Sequence, residues 1–393
     1  MSCDDLKIGQ SFKLHNIEFT VEKKLPSGSF GDPYIIKRDG FRCVLKSNIF
    51  EGDEYFMNGS NYKALLNESK IGMNLGLHPN VVTFLTFERK KSNCIYTAME
   101  YVKGGELVDL FREDGIPDFR LLIDLSIDIA SGLNHLHTHG VTHRDLNPTN
   151  ILLESPFDDQ KDKVHVARVT DYSISYYDNK LKNDPDKCHE EKEFNEIDHY
   201  YVGNESYVSP EQLDKCSSGK EKDADVFAFG MLLLHMVTGE ISIDQKSLHQ
   251  TFDLEASKKD IGERIYPSLL TNRKNLDSRI IELIKDLIIK CLHYYPNLRW
   301  KIEKENSPFE YFETIRKELL NIRHLAYKGE QIIESEFPNI PYLYQLRGSG
   351  FAHLECYDNA TYTLLKSLEL TPNNVSIQYQ RMVEHGTQWH VDS

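Results

Sequence analysis

The chain has 393 residues, more than one hydrophobic core usually supports, so two or three structural units are expected. With 40% hydrophobic and 27% charged residues it has the composition of a soluble globular protein, which excludes bulk disorder. A formal net charge of −15 argues against a nucleic-acid surface, because a polyanion needs clustered Lys and Arg to hold it.

The seven cysteines (Cys3, Cys43, Cys94, Cys188, Cys216, Cys291, Cys356) are scattered without a CxxC pair. That pattern indicates neither a zinc site nor a disulfide framework and fits a reducing compartment. The opening MSCDDLKIGQ is acidic where a signal peptide is basic. The richest apolar run, VFAFGMLLLHMV, falls short of the ~20 residues that span a bilayer. A cytoplasmic protein without a membrane span is expected.

From Phe19 to Ser47 the pattern predicts strands over FTVEKKL, PYIIK and FRCVLKS. Asp39-Gly40 joins the last two, and Asp-Gly between alternating apolar residues is a strong hairpin signal because Gly tolerates positive φ. Residues 60–77 carry helical spacing and end before His78-Pro79, and VVTFLTFER and CIYTAMEYV complete a five-stranded, mostly antiparallel unit with one helix. From Gly104 to about Trp300 long helical periods dominate, as in FRLLIDLSIDIASGLNHLHTHG and DADVFAFGMLLLHMVTGE. Within this unit, Asp171 to Glu211 lacks periodicity. Its middle, NDPDKCHEEKEFNEID, holds seven acids against two lysines, so it cannot bury itself and is expected to be a conditionally ordered loop.

After Trp300 the sequence repeats. Ala326 and Ala360 are 34 apart, as are Pro338-Asn339 and Pro372-Asn373, and 34 is the tetratricopeptide period. The unit from Pro341 to Asn374 is the better match, with Tyr344, Gly348, Phe351, Ala360, Leu364 and Pro372 near the motif's positions. A tetratricopeptide-like pair, or plain helices that extend the second unit, are both open.

A small β unit joined to a large α unit is a geometry for a ligand caught in a cleft. In PSGSFGD, residues 26–32, missing side chains let backbone N–H groups approach phosphate oxygens. Lys46 closes the apolar strand CVLK, and Glu68 stands on the helix where it can orient that ammonium toward a phosphate. In THRDLNPTNILLE, Asp145 and Asn150 flank a turn that enters a strand, and Asp171 follows the strand VHVARVT. These three supply oxygen ligands for Mg²⁺ and an acceptor for a hydroxyl proton.

In this order and spacing the motifs resemble those of eukaryotic-type protein kinases, of the Ser/Thr or tyrosine-kinase-like branch, from about Phe19 to Trp300. SGSFG resembles the glycine-rich loop, VLK the lysine strand, AMEYVKGGEL the hinge, HRDLNPTN the catalytic loop and TDYS the metal-binding motif. YVSPE, DVFAFG and LRW resemble the signatures that brace the large lobe. The fold this implies is α+β and bilobal: an antiparallel five-stranded N-lobe with helix C (1–102), an α-helical C-lobe (103–303), and an all-α helical-hairpin, tetratricopeptide-like tail (304–393).

The resemblance implies phosphoryl transfer from ATP with Mg²⁺ to Ser or Thr of a protein substrate. Ser27, Gly28, Ser29, Phe30 and Gly31 would cover the phosphates, and Lys46, paired with Glu68, would hold them. Asp145 would accept the substrate's proton, while Asn150 and Asp171 would hold the metal. Met99 would be the gatekeeper, Glu100 to Val102 would bind adenine, and Glu106 would touch ribose. Glu211 and Arg299 would form a buried structural pair, and Asp225 would brace the catalytic loop.

Several positions depart from the family pattern. Pro26 and Pro33 remove backbone freedom around the phosphate loop. Asn147 stands where Ser/Thr kinases carry a lysine that neutralises the transferred phosphate; its amide can donate a hydrogen bond there but brings no charge. Tyr172-Ser173 replaces Phe-Gly after Asp171, which predicts stiffer switching of that segment. A pseudokinase scaffold that binds a peptide or protein partner through its tail is the competing expectation. Arg144 implies control by a phosphate on the loop, with Ser173, Ser175, Tyr176, Tyr177, Tyr200, Tyr201 and Ser206 as candidate acceptors.

Overall fold

The computed structural model describes residues 6–26, 32–49, 68–90, 94–113, 118–154, 166–172, 175–177, 204, 206–213, 222–239, 263, 276–296, 299 and 311–327. The phosphate loop at 27–31, the acidic stretch NDPDKCHEEKEFNEID and the repeat units beyond residue 327 lie outside them.

The first lobe is a six-stranded sheet in the order β1-β2-β3-β4-β6-β5, antiparallel at every pairing. Its strands are β1 (Ser11–Leu14), β2 (Ile17–Lys24), β3 (Asp32–Arg38), β4 (Phe41–Ile49), β5 (Phe84–Lys90) and β6 (Cys94–Glu100). Residues 68–74, between β4 and β5, form helix α1. The sheet thus has six strands where five were expected. The added strand is β1, in which Phe12 and Leu14 point inward and pair with Phe19 and Ile17. Its turn is made by His15 and Asn16, both at positive φ. A histidine carries no turn signal. His15 holds the conformation through its backbone N–H, which donates to Glu88 Oε2 at 3.1 Å, and its ring Nε2, 2.7 Å from Thr86 Oγ1. The sheet therefore curls until the first turn meets β5. The Asp39-Gly40 turn forms as expected, with φ of 48° and 82° between the paired Arg38 and Phe41.

The second lobe is helical. It comprises α2 (Leu107–Glu113), α3 (Phe119–Thr138), α4 (Pro210–Leu213), α5 (Asp223–Thr238), α6 (Ser278–Cys291) and α7 (Tyr311–Tyr327), with the short pairs β7 (Val141–Thr142) and β10 (Tyr176–Tyr177), and β8 (Ile151–Leu153) and β9 (Ala167–Val169). Asp118 starts α3 by accepting from Leu121 N at 2.9 Å, and Asp277 starts α6 by accepting from Arg279 N at 2.8 Å. Helix α5 is apolar on every face and buried from Ala224 to Val237, so it forms the centre of the lobe. Helix α7 buries Phe312, Ile315, Leu319 and Ile322 in the same core as α3 and α5, and Arg323 Nε donates to Asp124 Oδ1 of α3 at 2.5 Å. It is the described part of the segment expected as a tail, and it is packed into the lobe.

The lobes are stitched at β9. Val82 N donates to Val169 O at 2.8 Å and Val169 N to Asn80 O at 2.9 Å. Gly132 of α3 permits this approach, since a Cβ there would lie 2.5 Å from the carbonyl oxygen of Asn80. On the other side Gly104 N donates to Leu153 O at 2.7 Å and Leu153 N to Gly105 O at 2.9 Å, fixing the chain that leaves β6 onto β8.

Candidate active site

Lys46 lies in β4 between β3 and β6, opposite Pro33 and Thr97, so its side chain leaves the sheet toward α1. There its Nζ is 3.6 Å from Glu68 Oε1, the Glu68 side chain being only 2% exposed. Burial works against the ammonium's charge, but Glu68 and Asp171 outweigh it and raise the Lys46 pKa, so it stays a cation at every physiological pH. Burial likewise raises the pKa of Glu68, opposed by Lys46 and reinforced by Asp171. The second oxygen of Glu68, Oε2, is buried without a hydrogen-bond partner among the described residues. One cation therefore sits between two carboxylates, one from each lobe.

The polar loop is held from beneath. Asp225, at the first turn of α5, is fully buried and accepts from His143 N, Arg144 N and His137 Nε2, each at 2.8 Å. Burial alone would push its pKa up, but these donors hold it below the ordinary carboxylate value. Burial lowers the pKa of His137, which is the neutral donor of the pair. With its N–H fixed in this way, Arg144 adopts φ 71°; Asp171 adopts φ 67°, and both are strained for side-chain-bearing residues and characteristic of sites where the surroundings dictate the backbone. Tyr172 is buried against Ile71, Leu75, Val81, Leu136 and Val141, and its hydroxyl donates to Val169 O at 3.0 Å. The phenol thus fits where the family has phenylalanine because a carbonyl meets its oxygen. Ser173 lies outside the described residues.

Asp145 stands at the mouth of β8. Asn150 Nδ2 donates to its carbonyl at 2.8 Å and to Oδ2 at 3.1 Å, and Asn147 Nδ2 donates to its carbonyl and to Oδ1, both at 3.1 Å. The backbone N–H of Asn204 donates to Oδ1 at 2.9 Å. Thr170 N donates to Asn150 O at 3.0 Å, so the backbone that carries Asn150 runs beside the one that leads to Asp171. An amide oxygen and a carboxylate are hard donors of the kind Mg²⁺ accepts, one or two protein ligands being sufficient.

Met99 is buried in β6 opposite Val44 and Phe84. Glu100 and Val102 follow half-buried, and Glu106 is exposed and bridged to Leu152. The side chain of Glu100 turns away from the cleft. Its carboxylate accepts from Thr83 N at 2.7 Å and from Arg168 Nη1 at 3.0 and 3.2 Å, while Arg168 Nη2 donates to Glu154 Oε2 at 2.9 Å. Burial opposes the charge of Arg168, but Glu100 and Glu154 raise its pKa. Ser27, Gly28, Ser29, Phe30 and Gly31 lie outside the described residues.

Glu211 and Arg299 form the expected buried pair. Both guanidinium nitrogens meet the carboxylate, Nη2 at 2.7 Å from Oε2, while Nε donates to His293 O at 2.6 Å and Nη1 to Asp223 O at 3.0 Å. Of the candidate phosphate acceptors, Ser175 is buried with its hydroxyl donating to His143 O at 3.1 Å. Arg144 Nε is buried without a partner among the described residues.

Sequence reasoning missed Arg168, Thr149 and Asn204. Arg168 left a readable signal, a charge in the middle of the apolar strand VHVARVT. Asn204 left none, because its backbone rather than its side chain makes the contact.

Two lobes with a paired lysine, a polar loop at a strand mouth and a carboxylate one hairpin away are the arrangement of the two-lobed protein kinase class. Residues 19–308 match the protein kinase domain family, and the chain belongs to it. It is 27% identical over 303 residues to a MAP kinase kinase kinase of Schizosaccharomyces pombe, covering 75% of this chain and 20% of that protein. To a probable serine/threonine-protein kinase of Clostridium perfringens it is 28% identical over 255 residues, 64% of this chain and 32% of the other. To an Aurora kinase of Saccharomyces cerevisiae it is 26% identical over 287 residues, 72% and 66% of the two chains. The match thus spans about a fifth to a third of the first two relatives. Among the described residues no helix is long and apolar enough to cross a membrane.

Proposed function

We propose that the chain is an ATP-dependent protein kinase that transfers the γ-phosphoryl group to Ser or Thr hydroxyls of protein substrates, itself included. The observation that carries this is the charge arrangement at Lys46, a permanent cation oriented by buried Glu68 and facing Asp171, together with an Asp145 carboxylate held by three N–H donors. Lys46 binds the α- and β-phosphates, Glu68 fixes the direction of its ammonium, and Asp145 orients the acceptor hydroxyl and takes its proton. Asn150 and Asp171 would hold Mg²⁺, which when bound supplies charge to the phosphate oxygens. Met99 limits the depth of the adenine site, Glu100 to Val102 line it, Glu106 is placed for ribose, and residues 27–31 cover the phosphates. The word serine/threonine in the relatives' names favours aliphatic hydroxyls over tyrosine.

The Nε of Arg144, without a partner among the described residues, fits a phosphate on the activation loop, received from the chain itself or from another kinase. The segment beyond residue 327 is read as a tetratricopeptide-like pair that presents a groove to a peptide or protein partner, and the protein as cytoplasmic.

The test is incubation with γ-labelled ATP and Mg²⁺, comparing wild type with Asp145→Ala. Label on Ser or Thr in the wild type and loss of it in the variant are expected; equal label in both defeats the reading.

A further inference from the structure

Family resemblance puts Asn147 where a side chain reaches the transferred phosphate. Its surroundings give it different work. Asn147 is only 3% exposed. Its amide oxygen accepts from Thr149 N at 2.9 Å and from Thr149 Oγ1 at 2.6 Å. Its amide nitrogen donates to the carbonyl and to Oδ1 of Asp145. Two acceptor sites and two donor hydrogens are all that a side-chain amide possesses, and all four are engaged inside the loop.

The orientation is not arbitrary. A backbone N–H can only donate, so the amide oxygen must face Thr149 N, and the carbonyl and carboxylate of Asp145 can only accept, so the nitrogen must face Asp145. Turning the amide by half a revolution would set N–H against N–H and oxygen against oxygen. The local sequence builds this. Asn147 has extended backbone, caps the one-turn helix Pro148–Asn150 and is followed by Pro148, whose missing N–H needs no partner there.

We propose that Asn147 is a positioning residue for Asp145 rather than a phosphate ligand, and that the exposed Thr149 sets it, its hydroxyl helping to lock the amide so that nitrogen faces the catalytic carboxylate. Asn150 does the same for the other carboxylate oxygen. Asp145 is therefore framed on both sides by neutral amides, and the loop brings no cation to the transferred group. This rests on the reading of Asp145 as the proton acceptor.

The test uses the full chain. Affinities for ATP and for ADP, each with Mg²⁺, and steady-state transfer from ATP to casein are measured for wild type, Asn147→Ala, Thr149→Val and Thr149→Ser. A γ-phosphate ligand adds to the affinity for ATP and not for ADP. We expect the ATP-to-ADP affinity ratio and the KM for ATP to stay within about twofold in every variant, while kcat falls about tenfold in Asn147→Ala and severalfold in Thr149→Val, as when a catalytic group loses its orienting contact. Thr149→Ser, which keeps the hydroxyl, restores kcat to within about twofold of wild type. A drop of more than about fivefold in the affinity ratio for Asn147→Ala, a rise in KM in place of the fall in kcat, or a wild-type kcat in Thr149→Val overturns the proposal. Thr149 is a surface residue, so its variants remain informative should Asn147→Ala misfold. A wild type that binds no ATP at all would defeat the phosphotransfer reading and this inference with it, whereas normal binding with the contrary ratios defeats this inference alone.

Discussion

Arg168 of β9 donates to both carboxylate oxygens of Glu100, at 3.0 and 3.2 Å, and so joins the segment that leads to Asp171 to the last residue of β6. The guanidinium side chain is 4% exposed and the carboxylate 11%, so solvent screens the pair little. Arg168→Met is expected to cost about 3 to 5 kcal/mol in urea denaturation, because a buried carboxylate is left facing an apolar group. Glu154→Gln, whose side chain is 43% exposed, is expected to cost less than about 1 kcal/mol. Comparable losses in the two variants would show that Glu100 is not the partner that matters.

The Lys46–Glu68 pair gives a kinetic expectation. Removing the ammonium in Lys46→Met takes away a cation that faces Asp171, and phosphoryl transfer is expected to fall by about 100-fold or more. Glu68→Gln leaves the cation but loosens its direction, so a smaller drop is expected. Single-turnover transfer from labelled ATP measures both, and a Glu68 variant slower than the Lys46 variant would contradict the assigned roles.

Asp128 of α3 gives a pH dependence. Burial raises its pKa from 3.8 to about 7, opposed by donation from Ala167 N at 3.0 Å and from Asn80. The folded value lies above the unfolded one, so between these values the folded protein holds a proton that the unfolded chain has lost. Stability therefore falls as pH rises through that window. Asp128→Asn keeps an acceptor for Ala167 N and has no proton to lose. It is expected to be near neutral at about pH 4 and to gain on the order of 1 to 2 kcal/mol at about pH 8, read from thermal melts. A gain of equal size at both ends of the range would rule out ionisation as its source.

Arg299→Lys tests the large-lobe pair. The guanidinium serves Glu211 and the carbonyls of His293, Tyr294 and Asp223 together, and a lysine has three hydrogens without the planar fork. A loss of about 3 kcal/mol is expected, with KM for ATP unchanged in the folded fraction. Stability equal to wild type would mean that the fork geometry is dispensable.

Much of the site was legible because short-range chemistry fixed it. Asp39-Gly40 forces a hairpin, which sets the register of β3 on β4 and so the face of Lys46. Asn147-Pro148 forces a one-turn helix, which places Asn150 against Asp145. The illegible parts depend on partners distant in sequence. His15 turns the chain because Thr86 and Glu88 receive it, and α7 belongs to the lobe core because Asp124 and α3 are there to meet it.

Hydrophobic periodicity and the spacing of polar residues thus determined the two lobes, the helices that pack the larger one, and the residues at the cleft, since each follows from contacts within a few turns of chain. Which carboxylates Arg168 binds, what receives the His15 turn and where α7 lies were decided only by tertiary structure. A side chain's choice among hydrogen-bond partners depends on which groups are brought within about 3 Å and shut off from water, and linear order does not encode that proximity.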